Sequence, residues 1–152
     1  MRVLLQRVSR ASVSVDGEVV GAIGRGLVAL VGVAGGDTVE DAHLMAVKTA
    51  ELRIFSDSEG KFNLSANDVA GELLIVSQFT LLADARKGRR PSFTEAAPPD
   101  EAQKLFEEFV NAARTTGLKV ATGRFQQHML VEICNDGPVT IMLDSREKRP
   151  AS

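Results

Sequence analysis

Two short polar stretches follow or interrupt apolar runs, and their side chains could do chemistry. The first, Ser77–Thr80 (SQFT), comes directly after the apolar residues 73–76, and the second, Asn135–Thr140 (NDGPVT), interrupts a later apolar run. Hydroxyl and amide groups at the end of a buried strand sit on a rigid support, which is how a scaffold positions reactive groups. Pro138 has no backbone N–H to donate, so Gly137-Pro138 must lie at a sheet edge, a bulge or a turn.

Ser77 and Thr80 are candidate nucleophiles, but the sequence offers few bases to activate them. A hydroxyl nucleophile normally needs a base within hydrogen-bond reach, and that base needs a third group to orient it. His43 lies among charged residues of a predicted helix, where we expect exposure to solvent, and His128 directly precedes a predicted strand. The chain has no Gly-x-Ser-x-Gly elbow. A hydroxyl-nucleophile esterase stays an alternative, whereas a Ser-His-Asp hydrolase is poorly supported.

A basic loop follows Thr80. Between Asp84 and Thr94 the chain carries four cations against one acid. Clustered cations on a loop that contains Gly and Pro can bind phosphates, and Phe93 could stack on a base or a sugar. On composition alone, a solvated charged loop is an equally good interpretation. The candidate phosphate ligands are Arg86, Lys87, Arg89 and Arg90.

The sequence predicts neither a metal site nor an organic cofactor. His43, His128 and Cys134 lack the paired spacings that zinc ligands usually have. The glycines match neither the dinucleotide-binding nor the P-loop pattern. We therefore expect chemistry that relies on the protein's own groups and on its substrate.

Composition predicts a soluble, cytoplasmic, single-domain protein of 152 residues. The single cysteine, Cys134, excludes an internal disulfide and fits a reducing compartment. No apolar run approaches the roughly 20 residues that a membrane helix needs, and the charged amino terminus does not resemble a signal peptide. A net charge of −2 argues against general nucleic-acid coating. Any nucleic-acid contact must therefore come from a local patch.

The apolar periodicity predicts one α+β domain over residues 1–145: a mostly antiparallel sheet or partly closed β-barrel covered by two helices. Asp16-Gly17 is a strong hairpin turn, and Thr38 with Asp41 resembles an acidic capping box. The second helix begins at Pro98-Pro99 and Gly117 ends it. The predicted strands cover about 3–15, 18–23, 27–33, 72–77, 129–135 and 139–143, and residues 146–152 form a flexible polar tail.

The sequence combines two polar strand ends, a Gly-Pro and a basic loop, and it offers no conventional catalytic dyad. This combination suits a substrate that is already activated. Aminoacyl-tRNA is such a substrate, because its ester has a neighbouring ribose 2′-hydroxyl and a protonated α-amine. Backbone donors for the developing oxyanion, together with correct positioning, could then supply much of the rate enhancement.

From end to end the chain resembles the D-aminoacyl-tRNA deacylases. The two main signatures are Ser77–Thr80 and Asn135–Thr140, present in order and without departure. Weaker support comes from Gln6-Arg7-Val8, Val15-Asp16-Gly17, Leu52-Arg53-Ile54-Phe55 and Lys87-Gly88-Arg89-Arg90-Pro91-Ser92-Phe93.

The resemblance implies that family's fold and a homodimer in which the loop at Gly137-Pro138 of one subunit enters the pocket of the other. It implies a cis Gly137-Pro138 bond, loop carbonyls that hold the substrate's α-amine, and a proline ring that excludes an L side chain. Glycine has no side chain to clash, so glycyl-tRNA mischarged on tRNA-Ala would also be hydrolysed. Arg7 would brace the loop through charge-assisted hydrogen bonds. Asn135 belongs to this chiral-selection set, and Met129 would line the adenosine pocket or the seat of the Gly-Pro loop, or simply fill the core.

By the same resemblance, the catalytic group comprises Ser77, Gln78, Phe79 and Thr80. Thr80 matches a position proposed as a nucleophile, but attack assisted by the substrate's own 2′-hydroxyl, with the backbone amides at Phe79 as oxyanion donors, is favoured because Thr80 has no evident base. No cofactor is implied, and aminoacyl-tRNA is the expected partner. A non-catalytic RNA-binding dimer and a purely structural oligomer stay open as rivals.

Overall fold

One long strand, β1 (Arg2–Val15), organises the fold, which a computed structural model describes for residues 1–147. Along one edge, β1 pairs antiparallel with β3 (Gly26–Gly32) through its first half and with β2 (Glu18–Ile23) through its second half. Its other edge pairs antiparallel with β8 (Leu130–Asp144). The position of every antiparallel strand of the main sheet therefore depends on β1.

The remaining strands of the main sheet run parallel. β6 (Glu72–Ser77) pairs with β3, and β7 (Lys119–Thr122) pairs with β6. At Gly21 in β2, an added Cβ would lie 2.6 Å from the carbonyl oxygen of Thr122, so β2 and β7 approach closely. The sheet is thus a nearly closed mixed barrel. The other elements are α1 (Val39–Glu51), the hairpin β4 (Phe55–Ser56) and β5 (Phe62–Leu64), a 3₁₀ helix (Phe79–Leu82) and α2 (Pro99–Thr115).

Two buried clusters explain the unbroken apolar runs of β3 and β6. Leu27, Ala29 and Val31 face the cluster under the two helices, whereas Val28 faces the cluster inside the barrel. β6 alternates in the same way, with Leu73 and Ile75 toward the helices and Leu74 and Val76 inside the barrel. Strands buried on both faces have no polar face to alternate with.

The turn and cap predictions are confirmed. Asp16 and Gly17 have φ values of 50° and 80°, as a type I′ hairpin turn needs. Thr38 caps α1 in a reciprocal capping box with Asp41, and Gly117 ends α2 with a φ of 92°. The predicted α+β domain with two helices over a partly closed barrel is likewise confirmed.

The sheet is mostly antiparallel as predicted, but the prediction did not include its two parallel pairs and divided its last strand in two. The β3–β6 and β6–β7 pairs are parallel, so only the pairs that involve β1 follow the expected antiparallel pattern in the main sheet. The two predicted final strands are one strand, β8, because β1 pairs with it on both sides of the Gly-Pro. The short β4–β5 hairpin and β7 were not predicted, since their runs are too short for a periodic signal.

The chain is held on both sides of the boundary where the predicted tail begins. The Ser145 amide donates to the Met1 carbonyl oxygen at 2.9 Å, and the Arg146 guanidinium donates to the Gly35 carbonyl oxygen at 3.2 Å. The rest of the predicted tail, residues 148–152, lies outside the described residues.

Gly26 is required where β3 meets β6. A Cβ at Gly26 would overlap the backbone carbonyl of Glu72 and lie 2.6 Å from its nitrogen. We expect Gly26→Ala to lower the free energy of unfolding by about 1–3 kcal/mol, as overpacking does, because the parallel pair must separate. Urea unfolding measures the change. Gly24→Ala is the control: its nearest neighbour is a flexible carboxylate oxygen at 3.4 Å, so its effect should stay within about 0.5 kcal/mol. Equal stabilities of the two variants would contradict this account.

Candidate active site

A cleft of about 740 Å³ opens where β3 and β6 end. Its floor contains Val33 after β3, and Ser77 with Gln78 at the end of β6. Two irregular segments form its walls, one before and at the start of α2 and the other between β7 and β8. The lining residues are Val33, Val76–Phe79, Phe93, Ala96–Pro99, Ala102, Phe125–Met129 and Val131.

The 3₁₀ helix that begins at Phe79 is fixed from two sides. Gly32 lets it approach β3, because a Cβ there would lie 2.5 Å from the Leu82 side chain and 2.9 Å from the Gln78 carbonyl oxygen. The Arg2 guanidinium donates to the Leu81 carbonyl oxygen at 2.8 Å. The Ser77–Thr80 stretch therefore has a defined position at the mouth of the cleft.

The hydroxyl of Thr80 accepts a hydrogen bond, but no base among the described residues bonds to it. It accepts a hydrogen bond from the Gln78 side-chain amide. His128 lines the cleft, yet within residues 1–147 its ring makes no hydrogen bond to Ser77 or Thr80. His43 lies elsewhere, exposed on α1 and 2.9 Å from a Glu108 carboxylate oxygen. Among the described residues, neither histidine is therefore placed by a hydrogen bond to activate the Thr80 hydroxyl.

Two backbone amides at the same strand end have no partner among the described residues. The Gln78 amide donates to Val31 at 2.8 Å, and Leu81 and Ala83 donate back into the 3₁₀ turn. The amides of Phe79 and Thr80 donate no such bond within residues 1–147. Free N–H groups at a fixed position can stabilise a developing oxyanion.

The Gly-Pro loop is a four-residue bulge in β8. Asn135 pairs with Val8 and Thr140 with Gln6, so residues 136–139 face only one residue of β1. The Asn135 side-chain amide donates to the Arg7 carbonyl oxygen at 2.8 Å and to the Val139 carbonyl oxygen at 3.1 Å. These two bonds close the bulge across its base.

Arg7 holds the loop from the other strand. Its Nε lies 3.1 Å from the Asp136 carbonyl oxygen and 3.2 Å from the Asp136 carboxylate. A second nitrogen of its guanidinium donates to the Ile54 carbonyl oxygen at 3.0 Å, and the group lies over the Phe62 ring at 5.6 Å. Arg7 thereby connects the loop to the β4–β5 hairpin.

The loop at Gly137-Pro138 is exposed, and the bond between the two residues is cis. Of the predicted chiral-selection residues, only Met129 lines the cleft of its own chain. Arg7, Asn135, Gly137 and Pro138 do not. The two signature motifs therefore form separate surfaces of one chain.

The basic loop is partly ordered by one ion pair. The Arg86 guanidinium makes two bonds to the Asp84 carboxylate, at 2.9 and 2.7 Å. These bonds lower the pKa of Asp84 to about 2. Lys87, Arg89 and Arg90 are exposed and form no ion pair among the described residues. Phe93, near the end of this loop, lines the cleft. Its ring packs edge-on against the ring of Phe79, with the two centroids 5.2 Å apart.

Comparisons with known proteins place the chain in a family. The family model described as D-Tyr-tRNA(Tyr) deacylase matches residues 4–144. The chain belongs to this family. A D-aminoacyl-tRNA deacylase of Dehalococcoides mccartyi is 62% identical over 148 residues, 97% of each chain. Another, from Thermotoga petrophila, is 58% identical over 145 residues, 95% of this chain and 97% of the relative.

Two solved structures share the fold. One, titled c-Myc DNA Unwinding Element Binding Protein, is 41% identical and covers 99% of this chain and 100% of its own, with a TM-score of 0.88. The second is titled as a probable eukaryotic D-amino acid tRNA deacylase; at 20% identity and a TM-score of 0.81, over 93% of this chain and 97% of its own, it shows the fold alone. The resemblance recognised in the two motifs is confirmed.

Several cleft residues of this family member were missed by sequence reasoning. Ala96 to Pro99 form one wall, whereas the sequence pattern at Pro98-Pro99 indicates only a helix start. Phe125 and Gln126 form part of the other wall, and the φ of 61° at Gln126 leaves no trace in the sequence. The supporting roles of Arg2 and Gly32 also depend on contacts distant in sequence. Within residues 1–147 no three His, Cys, Asp or Glu side chains group together as metal ligands would, and no helix is long and apolar enough to cross a membrane.

The Asp84–Arg86 pair makes a testable electrostatic prediction. Since the hydrogen bonds from the Arg86 side chain are the main cause of the lowered pKa, Arg86→Ala should return the Asp84 pKa from about 2 toward its ordinary value of 3.8. A carboxyl carbon NMR titration measures it, with Lys87→Ala as the control that leaves the pKa low. The pairing should hold above pH ~4 and be lost as the pH falls through the folded pKa. A wild-type Asp84 that titrates near pH 4 would show that the pair does not form in solution.

Proposed function

We propose that this protein hydrolyses the ester bond of D-aminoacyl-tRNA and releases the free D-amino acid and tRNA. Family membership supports this activity, and one geometric observation carries the proposal: beside the cleft, the amides of Phe79 and Thr80 have no partner within residues 1–147, and no base there bonds to the Thr80 hydroxyl. Such a site stabilises an oxyanion but does not generate a protein nucleophile. It suits an ester that brings its own reactivity.

In the proposed mechanism the terminal adenosine lies in the cleft beside Met129, and the ester carbonyl points to the free amides. Water adds to the carbonyl carbon while the ribose 2′-hydroxyl accepts a proton from it and passes one to the leaving 3′ oxygen. The tetrahedral oxyanion accepts hydrogen bonds from the amides of Phe79 and Thr80. Collapse breaks the ester bond and restores the ribose hydroxyl, so no group on the protein changes its protonation state.

We further propose that chirality is read by a second copy of the chain, in a homodimer. The loop at Gly137-Pro138 is exposed and does not line its own cleft, which supports its insertion into a partner's cleft. There its carbonyls would hold the α-amine while the ring of Pro138 excludes an L side chain. Glycine would pass, so glycyl-tRNA mischarged on tRNA-Ala is a further substrate. Arg7 and Asn135 act as positioning residues that hold the loop.

The tRNA body would contact the basic loop. Lys87, Arg89 and Arg90 are free of ion pairs among the described residues and can meet phosphates, whereas Arg86 shapes the loop through Asp84. Phe93 lines the cleft and can stack on the adenosine. The proposed substrate occurs wherever translation takes place, so the protein would act in the cytoplasm as translation quality control.

The direct test compares D-tyrosyl-tRNA with L-tyrosyl-tRNA as substrates of the purified protein. We expect release of D-tyrosine and near-complete protection of the L ester. Equal cleavage of both would contradict the chiral role of the loop. Salt-dependent tRNA binding without release of D-tyrosine would leave the rival, a non-catalytic tRNA-binding dimer; no tRNA affinity at all would leave a structural oligomer.

Thr80→Ala separates the two mechanisms. Loss of one neutral hydrogen bond costs about 0.5–1.5 kcal/mol, so we expect kcat/KM to fall by no more than about tenfold. Removal of a true nucleophile costs on the order of 10⁴-fold or more. Single-turnover deacylation of D-tyrosyl-tRNA, run in parallel on Ser77→Ala, makes the comparison. Should Thr80→Ala abolish turnover while tRNA still binds, the substrate-assisted mechanism would be wrong.

Arg7→Lys tests the brace on the loop. A lysine cannot donate to the Asp136 and Ile54 carbonyl oxygens in the same way as the guanidinium fork. Because hydrogen bonds to charged groups contribute about 1.5–3 kcal/mol, the ratio of kcat/KM for D over L substrate should fall about tenfold or more. Arg10→Lys, three residues further along β1 and exposed, should leave the ratio unchanged. An unaltered ratio in Arg7→Lys would exclude a positioning role.

A further inference from the structure

A second groove, of about 450 Å³, lies beside the cleft between α2 and the segment that follows β7. Its volume falls within the roughly 300–1,000 Å³ typical of ligand sites. The side chains of Gln103, Asn111, Arg114 and Arg124 line it, together with Glu107. Neither the cleft nor the basic loop includes these residues. The groove therefore combines polar and apolar side chains, and the proposed mechanism leaves it unused.

Phe125 connects the groove to the cleft. Its side chain lines both cavities, and its ring packs against Phe106 on α2 with the centroids 6.2 Å apart. The groove and the cleft are therefore adjacent at Phe125. The two cavities thus form neighbouring compartments that share one aromatic wall.

The charges of the groove favour a single phosphodiester. Arg114 and Arg124 are exposed, and within residues 1–147 neither guanidinium takes part in an ion pair. Glu107 is the acid in the lining, so the groove carries a surplus of one positive charge. The arginine fork matches the geometry of phosphate oxygens. The amides of Gln103 and Asn111 both donate and accept, as base edges and ribose hydroxyls require.

From this arrangement we propose that the groove binds the phosphate and nucleotide immediately 5′ of the terminal adenosine of the tRNA. Arg114 and Arg124 hold the phosphate that joins the two nucleotides. Phe125 separates the adenosine in the cleft from the nucleotide in the groove. The inference rests on the proposed function, because it requires the adenosine to occupy the cleft.

The basic loop suits a different part of the same substrate. Lys87, Arg89 and Arg90 lie on an exposed loop, as suits contacts with the backbone of a duplex stem. Arg114 and Arg124 instead line an open groove with amide groups beside them, as suits one single-stranded nucleotide.

Three substrates locate the contact: D-tyrosyl esters of adenosine, of the dinucleotide cytidylyl-adenosine, and of full tRNA. Only the last two carry the phosphate in question. We expect the double variant Arg114→Ala with Arg124→Ala to lower the ratio of kcat/KM for the dinucleotide over the adenosine ester about tenfold or more, through KM. The full tRNA should show the same loss, with a shallower dependence of kcat/KM on salt. Lys104→Ala, on the same helix but outside the groove, is the matched control.

The outcomes separate this inference from the proposed function. If the wild-type protein cleaves none of the three esters, the proposed function fails. Suppose instead that it cleaves all three, and that the double variant leaves kcat/KM for the dinucleotide ester and for the tRNA ester, each relative to the adenosine ester, unchanged. The groove then does not bind the tRNA end. A loss confined to full tRNA would place the two arginines on a more distant phosphate and also overturn the inference. Arg114→Gln with Arg124→Gln, checked by thermal unfolding, repeats the test if the alanine variant is unstable.

Discussion

The hydrogen bonds that close the β8 bulge onto β1 are the constraint on which the rest of the site depends. Asn135 bonds to the backbone of both strands, and Arg7 bonds to the loop and to the neighbouring hairpin. Without these bonds, residues 136–139 would be a loop with only one residue of β1 opposite it. With them, the exposed Gly137-Pro138 is held at a defined position on the surface. The proposed stereochemical filter would need this stiffness, because it would discriminate by steric clash.

The cleft depends on a second constraint, the close approach of parallel strands. Gly26 lets β6 pair with β3, and Gly32 lets the 3₁₀ helix fold against the end of β3. The strand ends then present free amides at a fixed place, with Arg2 holding the following turn. Oxyanion stabilisation by backbone groups needs this kind of preorganisation, since the donors must be aimed before the charge develops.

Positive charge is concentrated in local patches although the protein as a whole is slightly acidic. The net charge is only −2, yet cations collect on the loop after the 3₁₀ helix and again at Arg114 and Arg124. Pairing of Arg86 with Asp84 uses one cation to shape the loop and leaves its neighbours available. Local patches of this kind attract a phosphate backbone at chosen points instead of coating it.

The sequence by itself determined the local features, because their causes are local. The Asp16-Gly17 turn, the Thr38–Asp41 capping box and the buried runs of β3 and β6 each follow from residue type and spacing. The two signature motifs, read together, were also enough to indicate the family. Tertiary structure alone decided that β3 and β6 run parallel, and that the Asn135–Thr140 segment is a bulge in one strand. It also decided that Phe125, Arg114 and Arg124 line the same groove. These features depend on contacts between residues far apart in sequence, and neither periodicity nor propensity carries that information.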